Sequence, residues 1–152
     1  TTHQVIVTKG ATVSTPQSLT LAAAAPGIFA RDGSGQGQGI VVDAAGKYVD
    51  ASNPAAAGQV IVLYCTGLGE VTPSVATGAA ASLTQLSRTT NPVSLTIGGV
   101  TAQVAFSGLA PGFVGLYQVN AVVPTGVAAG SQVPVVITSA GQSSAPVTIA
   151  IK

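Results

Sequence analysis

Apolar and small polar residues alternate along nearly the whole chain. QSLTLA at 17–22 has a clean period of two, and PVSLTIGGVTAQVAFSG at 92–108 carries the same alternation on both sides of Gly98-Gly99. Alternation of this kind puts one set of side chains on each face of a strand. A Gly-Gly pair between two such runs reads as a tight hairpin turn. HQVIVTKG at 3–10 predicts one strand, and GIVVDAAGKYVDA at 39–51 predicts two, joined at Ala44-Ala45-Gly46. GQVIVLYCTG at 58–67 is apolar almost throughout, as expected of a central strand. GLYQVNAVVP and SQVPVVITSAGQSSAPVTIAI supply the remaining strands. Only GAAASLTQLSRTT at 78–90 offers a short helix, and its many hydroxyls favour a loop. Short strands at near-regular spacing, punctuated by 19 Gly and 9 Pro, predict an all-β fold: an Ig-like β-sandwich with an added amino-terminal hairpin.

The two ends of the chain repeat one another. VIVTKGATVSTPQSLTL at 5–21 and VVITSAGQSSAPVTIAI at 135–151 align without a gap at a constant offset of 130 positions. Val5 meets Val135, Val7 meets Ile137, Leu19 meets Ile149 and Leu21 meets Ile151. Thr8, Ser14 and Pro16 find the same residue type at 138, 144 and 146. Each phrase predicts an apolar strand, a polar turn, Ser-x-Pro and a second alternating strand. The expected organisation is therefore a hairpin or connector over 1–22 followed by a sandwich over 23–152. An alternative is two small β units over about 23–75 and 91–152. Three origins of the repeat compete: the closing hairpin of a preceding module, a connector that pairs with another copy, or internal duplication within one sandwich.

Composition narrows the partners. Charged residues are 6% of the chain, against about 25% in an average domain, and the net charge is +1. With no basic run, neither nucleic acid nor an anionic membrane is an expected partner. No apolar stretch reaches the ~18 residues of a membrane-spanning helix. The chain has no Met, so it reads as a processed form or a fragment, and a removed signal peptide is the simplest source of a processed form.

Ala25-Pro26-Gly27-Ile28-Phe29, Thr66-Gly67-Leu68-Gly69 and Gly115-Leu116-Tyr117-Gln118-Val119-Asn120 together resemble a family of uncharacterised carboxy-terminal β domains in large secreted proteins of acidobacteria. The likeness runs from about Val5 to the end of the chain. The second half also resembles immunoglobulin-like modules of the IPT/TIG type, through VSLTIGG and its return strand. This resemblance implies an extracellular, Ig-like module and carries no catalytic motif with it.

Candidate chemistry is sparse. Asp32, Asp43, Asp50 and Glu70 are the only carboxylates, and none shares a glycosidase-like or EF-hand spacing with another. DGSGQGQG at 32–39 precedes a strand where a phosphate cradle needs a helix, so it reads as a hairpin loop. Cys65 lies in an apolar run and reads as a buried small hydrophobe, while the one imidazole, His3, is near the terminus. Glu70 is expected to pair with Arg88 or Lys47. Tyr48, Tyr64, Tyr117, Phe29, Phe106 and Phe113 are expected mainly in the core, with a sugar-stacking platform as the alternative.

These readings give no enzyme, no cofactor and no metal site. The leading expectation is an extracellular structural subunit that joins other copies of itself head to tail into a filament, by strand addition from its amino-terminal segment. Val5, Val7, Leu19 and Leu21 would be the inserted residues, and Val135, Ile137, Ile149 and Ile151 their equivalents in the closing hairpin. The alternative is a binding or spacer module of a large secreted protein, with carbohydrate or the cell surface as its attachment partner.

Overall fold

The computed structural model describes residues 1–152 and contains strands and loops with no helix. The strands are β1 (Thr2–Val5), β2 (Thr8–Lys9), β3 (Thr12–Val13), β4 (Gln17–Thr20), β5 (Gly27–Ile28), β6 (Val41–Asp43), β7 (Val60–Thr66) and β8 (Val71–Thr72). They continue with β9 (Arg88–Thr89), β10 (Val93–Ile97), β11 (Val100–Leu109), β12 (Tyr117–Val122), β13 (Gly130–Ser139), β14 (Gln142–Ser143) and β15 (Val147–Ile151). The all-β class expected from the alternation is therefore found, and the antiparallel arrangement is consistent with a sandwich.

From β5 onward the strands form one sheet in the order β14-β13-β10-β11-β12-β7-β5, with β15 beside β13 and β6 beside β7. The sheet then closes on itself. Ala30 bridges Gly39, and Gln38 bridges Thr148 on the outer edge of β15. Gly39 N–H donates to Thr148 O at 2.9 Å, and Thr148 N–H donates to Gly37 O at 2.6 Å. Further along the seam, Ala55 N–H donates to Ala150 O (3.0 Å) and Lys152 N–H donates to Ala55 O (2.9 Å). A side chain at Gly39 would put its Cβ 2.8 Å from Val147 Cγ2, so the seam needs glycine there. Closure of this kind leaves few unpaired strand edges on the body.

Alternation fills the interior. Ile61, Leu63 and Cys65 point inward from β7, Val119 and Ala121 from β12, Leu95 and Ile97 from β10, and Val135 and Ile137 from β13. These belong to a single cluster of 20 buried residues that also takes in Ile28, Val41, Val147 and Ile149. The two stretches considered as separate β units share this core. They also share a ladder, since β7 pairs with β12 from Tyr117↔Cys65 to Val122↔Val60. Residues 78–90 form a loop, ending in β9; the Ser82 hydroxyl accepts from Thr84 and Gln85 N–H and so competes with a helical turn. Aliphatic side chains leave little room for aromatics. Phe106 alone is buried, Tyr64 and Tyr117 are half-buried, and Phe29, Tyr48 and Phe113 are exposed, contrary to the expected aromatic core.

The chain enters and leaves the body at opposite ends. Gly27 pairs with Thr66, where β7 finishes. Ile151 pairs with Gly130 and bridges Ala55, at the end where β7 begins and Val60 meets Val122.

Candidate assembly surface

Residues 1–21 form a hairpin with the register of residues 133–149, and the two part only at the open end, where Thr2 pairs with Thr20 but β13 shifts register between Gly130 and Val133. β1 and β4 pair His3↔Leu19, Gln4↔Ser18 and Val5↔Gln17. β13 and β15 pair Val133↔Ile149, Pro134↔Thr148 and Val135↔Val147, the same register displaced by the sequence offset. Thr8↔Val13 and Lys9↔Thr12 likewise match Thr138↔Ser143 and Ser139↔Gln142. Even the serine bracket recurs. Ser14 N–H donates to Val7 O (2.9 Å) while Ser14 Oγ accepts from Val7 N–H (3.0 Å). Ser144 makes the same pair with Ile137, at 2.8 and 3.2 Å. The tips differ in one respect: Gly10 alone takes a positive φ in the first hairpin, whereas both Ala140 and Gly141 do in the second.

The environments of the two hairpins are opposite. β13 lies between β10 and β15, and β15 lies against Gly37–Gly39 and Ala55. The amino-terminal hairpin has no counterpart of either neighbour, and every hydrogen bond of residues 1–21 stays within those residues. The stretch expected to be one strand over 3–10 is accordingly broken at Ile6–Val7, because β10 is what keeps the equivalent part of β13 in a ladder. Val135, Ile137, Ile149 and Ile151 are buried in the body's own core, so they are not available to a partner. Val5, Val7, Leu19 and Leu21 are between 43% and 64% exposed. Ile6 and Val13 are exposed with them. A two-stranded hairpin alone is marginal in water. Full burial of a Val, Leu or Ile is worth about 1.5–3 kcal/mol, so covering these six half-exposed chains would contribute roughly 5–9 kcal/mol.

Where the two hairpins meet their surroundings, they differ in polarity. His3, Lys9, Gln17 and Thr20 occupy the positions of Val133, Ser139, Val147 and Ala150. All four carboxy-terminal residues are buried, and Ser139 Oγ donates to Leu68 O at 3.0 Å. A lysine in the place of Ser139 would bring an unpaired ammonium into the core.

The remaining candidates do not converge. Asp32, Asp43 and Asp50 hold loops: Asp32 accepts from Ser34, Asp43 from Asn53 and the N–H groups of Ala45 and Lys47, and Asp50 from Ser52. These hydrogen bonds, from Ser34, Asn53 and Ser52 in turn, hold the three carboxyls below the usual aspartate range. The one ion pair is Arg31–Asp50 at 3.3 Å, with the Arg31 guanidinium 4.6 Å from the Tyr48 ring centre. Glu70 makes no ion pair with Arg88 or Lys47; Arg88 lies 4.8 Å from the Phe106 ring centre instead. Cys65 is buried between strands, and burial pushes its thiol up to about 12. His3 is on the exposed hairpin, far along the chain from any acid.

Comparison with family models, with curated proteins and with solved structures returns no match.

Proposed function

We propose that the chain is a structural spacer module of a larger secreted protein, and that residues 1–22 are the closing hairpin of a second sandwich of the same architecture and different sequence. The register-identical hairpin with an uncovered apolar face carries this reading. It is a finished part of a sandwich whose other strands lie elsewhere. The secreted setting rests on the resemblance noted above and on the scarcity of charge.

The self-assembling filament uses the same strands differently, inserting them into another copy of this chain. That copy's sheet is closed, and the slot shaped for such a hairpin already holds residues 131–151. Exchange into the slot would bury Lys9 and Gln17, which opposes it. Light scattering on the 152-residue chain separates the two readings. A monomer across the micromolar range is expected. Filaments that vanish when residues 1–22 are removed would overturn the spacer reading in favour of the polymer.

A further inference from the structure

We infer that the entrance end of the body is a fixed joint, in which Leu83, Phe113 and Val114 pack against the sandwich that residues 1–22 close. The inference rests on the preceding reading and adds a surface and a geometry to it.

The first observation is reach. Leu21 N–H still bonds within the hairpin, to Thr1 O at 2.8 Å. Ala24 is already buried in the body, and Ala25 N–H donates to Gly67 O at 2.8 Å. Three Cα steps separate Leu21 from Ala24, so at most about 11 Å of chain lies between the two units. Gly67 and Gly69 grip this strap. Both have positive φ, a Cβ on Gly67 would collide with the Ala25 carbonyl, and one on Gly69 would lie 2.6 Å from Ala23 O. Tyr117 locks the same loop by donating its hydroxyl to Gly69 O.

The second observation is what the entrance end presents. Ala81 N–H donates to Phe113 O, and Gly112 N–H donates to Ala81 O, both at 2.9 Å, so two loops are knitted together. Their apolar side chains nonetheless face outward: Phe113, Val114 and Leu83 are 57%, 60% and 76% exposed. The patch adjoins the strap. Val114 lines a depression with Gly69, Glu70, Thr90 and Tyr117, and those same four residues line the next depression with Ala22–Ala25. Any sandwich that owns residues 1–22 has its exit end within a few residues of this patch, because β4 occupies the place of β15 and β15 leaves its body at the exit end. The occupant is therefore the exit end of the neighbouring sandwich, and it meets a largely apolar cap with Glu70 at its edge.

The test uses the natural chain extended amino-terminally of Thr1 by the length of one more sandwich, beside the 152-residue chain. The triple variant Leu83→Ser, Phe113→Ser, Val114→Ser should leave the melting of the 152-residue chain unchanged, since all three side chains are exposed there. In the extended chain, the unaltered protein should tumble as one body by NMR relaxation. Elastase should cut Ala22–Ala24 at least 10-fold faster in the triple variant. Two folded units that tumble independently, or a triple variant cut no faster, would overturn the joint while leaving the spacer reading standing. Absence of any folded unit before Thr1 would overturn both.

Discussion

Moving residues 1–22 into the place of 131–152 is the sharpest test of what the hairpin is. The backbone should accept the exchange, because the serine bracket, the turn length and the register from His3↔Leu19 inward coincide, and only the shift between Gly130 and Val133 has to form anew. The side chains should not. Lys9 would replace Ser139, lose the hydroxyl's bond to Leu68 O and bury an unpaired cation, which costs several kcal/mol even after relaxation. Gln17 in the fully buried site of Val147 would strand an amide, at about 1–3 kcal/mol, and forfeit about 2 kcal/mol of apolar burial. With His3 for Val133 and Thr20 for Ala150, the total is about 8 kcal/mol or more, a large share of the 5–15 kcal/mol that ordinary domains possess. The transplant should be unfolded or nearly so by urea titration followed with circular dichroism. Adding His3→Val, Lys9→Ser, Gln17→Val and Thr20→Ala to it should restore a cooperative transition within about 3 kcal/mol of the parent, Val7 for Ile137 being the main remaining loss. If the unmodified transplant unfolds like the parent, the hairpin suits this sandwich and the homopolymer regains its footing. If the four-fold corrected transplant still fails to fold, residues 1–22 are not a closing hairpin.

Deleting residues 1–22 should leave the thermal transition of the body within about 1 kcal/mol of the intact chain, because no hydrogen bond crosses from 1–21 to the rest; calorimetry checks this. Gly67→Ala should destabilise the body by about 2 kcal/mol or more, through its positive φ and the collision with Ala25, read from the urea midpoint. Burial raises the Cys65 thiol from the ordinary 9.0 to about 12, so the unfolded chain loses that proton first and stability should fall as pH rises from 9 towards 12. Cys65→Ala should flatten that slope, leaving the part due to Tyr117, which burial also raises. Asn53→Ala should move the Asp43 carboxyl upward towards its ordinary 3.8, seen by NMR titration. Because the native carboxyl is held low, the stability it contributes is present above pH 3.8 and is lost as pH falls through the lower native value.

Much of the fold was legible because strand periodicity is a local signal. The Gly98-Gly99 turn and the run through Cys65 follow from patterns of two to ten residues, and the paired hairpins from a 17-residue phrase repeated at the two ends of the chain. Closure of the sheet was not legible. It depends on Gly37–Gly39 lying against Thr148, a contact between a glycine-rich loop and a strand more than 100 residues away, and neither partner has a distinctive pattern. The aromatics misled for a related reason. A core packed mainly with Val, Ile and Leu from β6, β7, β10, β12, β13 and β15 leaves Phe113 and Tyr48 on loops at the rim, and side-chain type alone does not distinguish core from rim. Glu70 and Arg88 are both on exposed positions, where solvent competes with pairing, so their separation in sequence said nothing about a contact. Nothing in the sequence signalled that Val135, Ile137, Ile149 and Ile151 are buried while Val5, Val7, Leu19 and Leu21 are exposed, since that difference lies in the neighbours rather than in the hairpins.

Which positions the two hairpins share, and which they do not, follows a physical division. Ser14 and Ser144, Pro16 and Pro146, Val5 and Val135, and Thr8 and Thr138 are identical, and the serines and register pairs among them define the hairpin itself. His3, Lys9 and Gln17 differ from Val133, Ser139 and Val147, which meet the strands and loops of the body. A hairpin meant for another copy of this chain would need agreement at both sets. Agreement only in the first set is what the same element looks like when it closes a sandwich with a different interior. On the proposed reading, the boundary between units falls at Ala22–Pro26. If residues 1–22 close a preceding sandwich as proposed, units of this kind would extend in a line, because the body admits the chain at one end and releases it at the other.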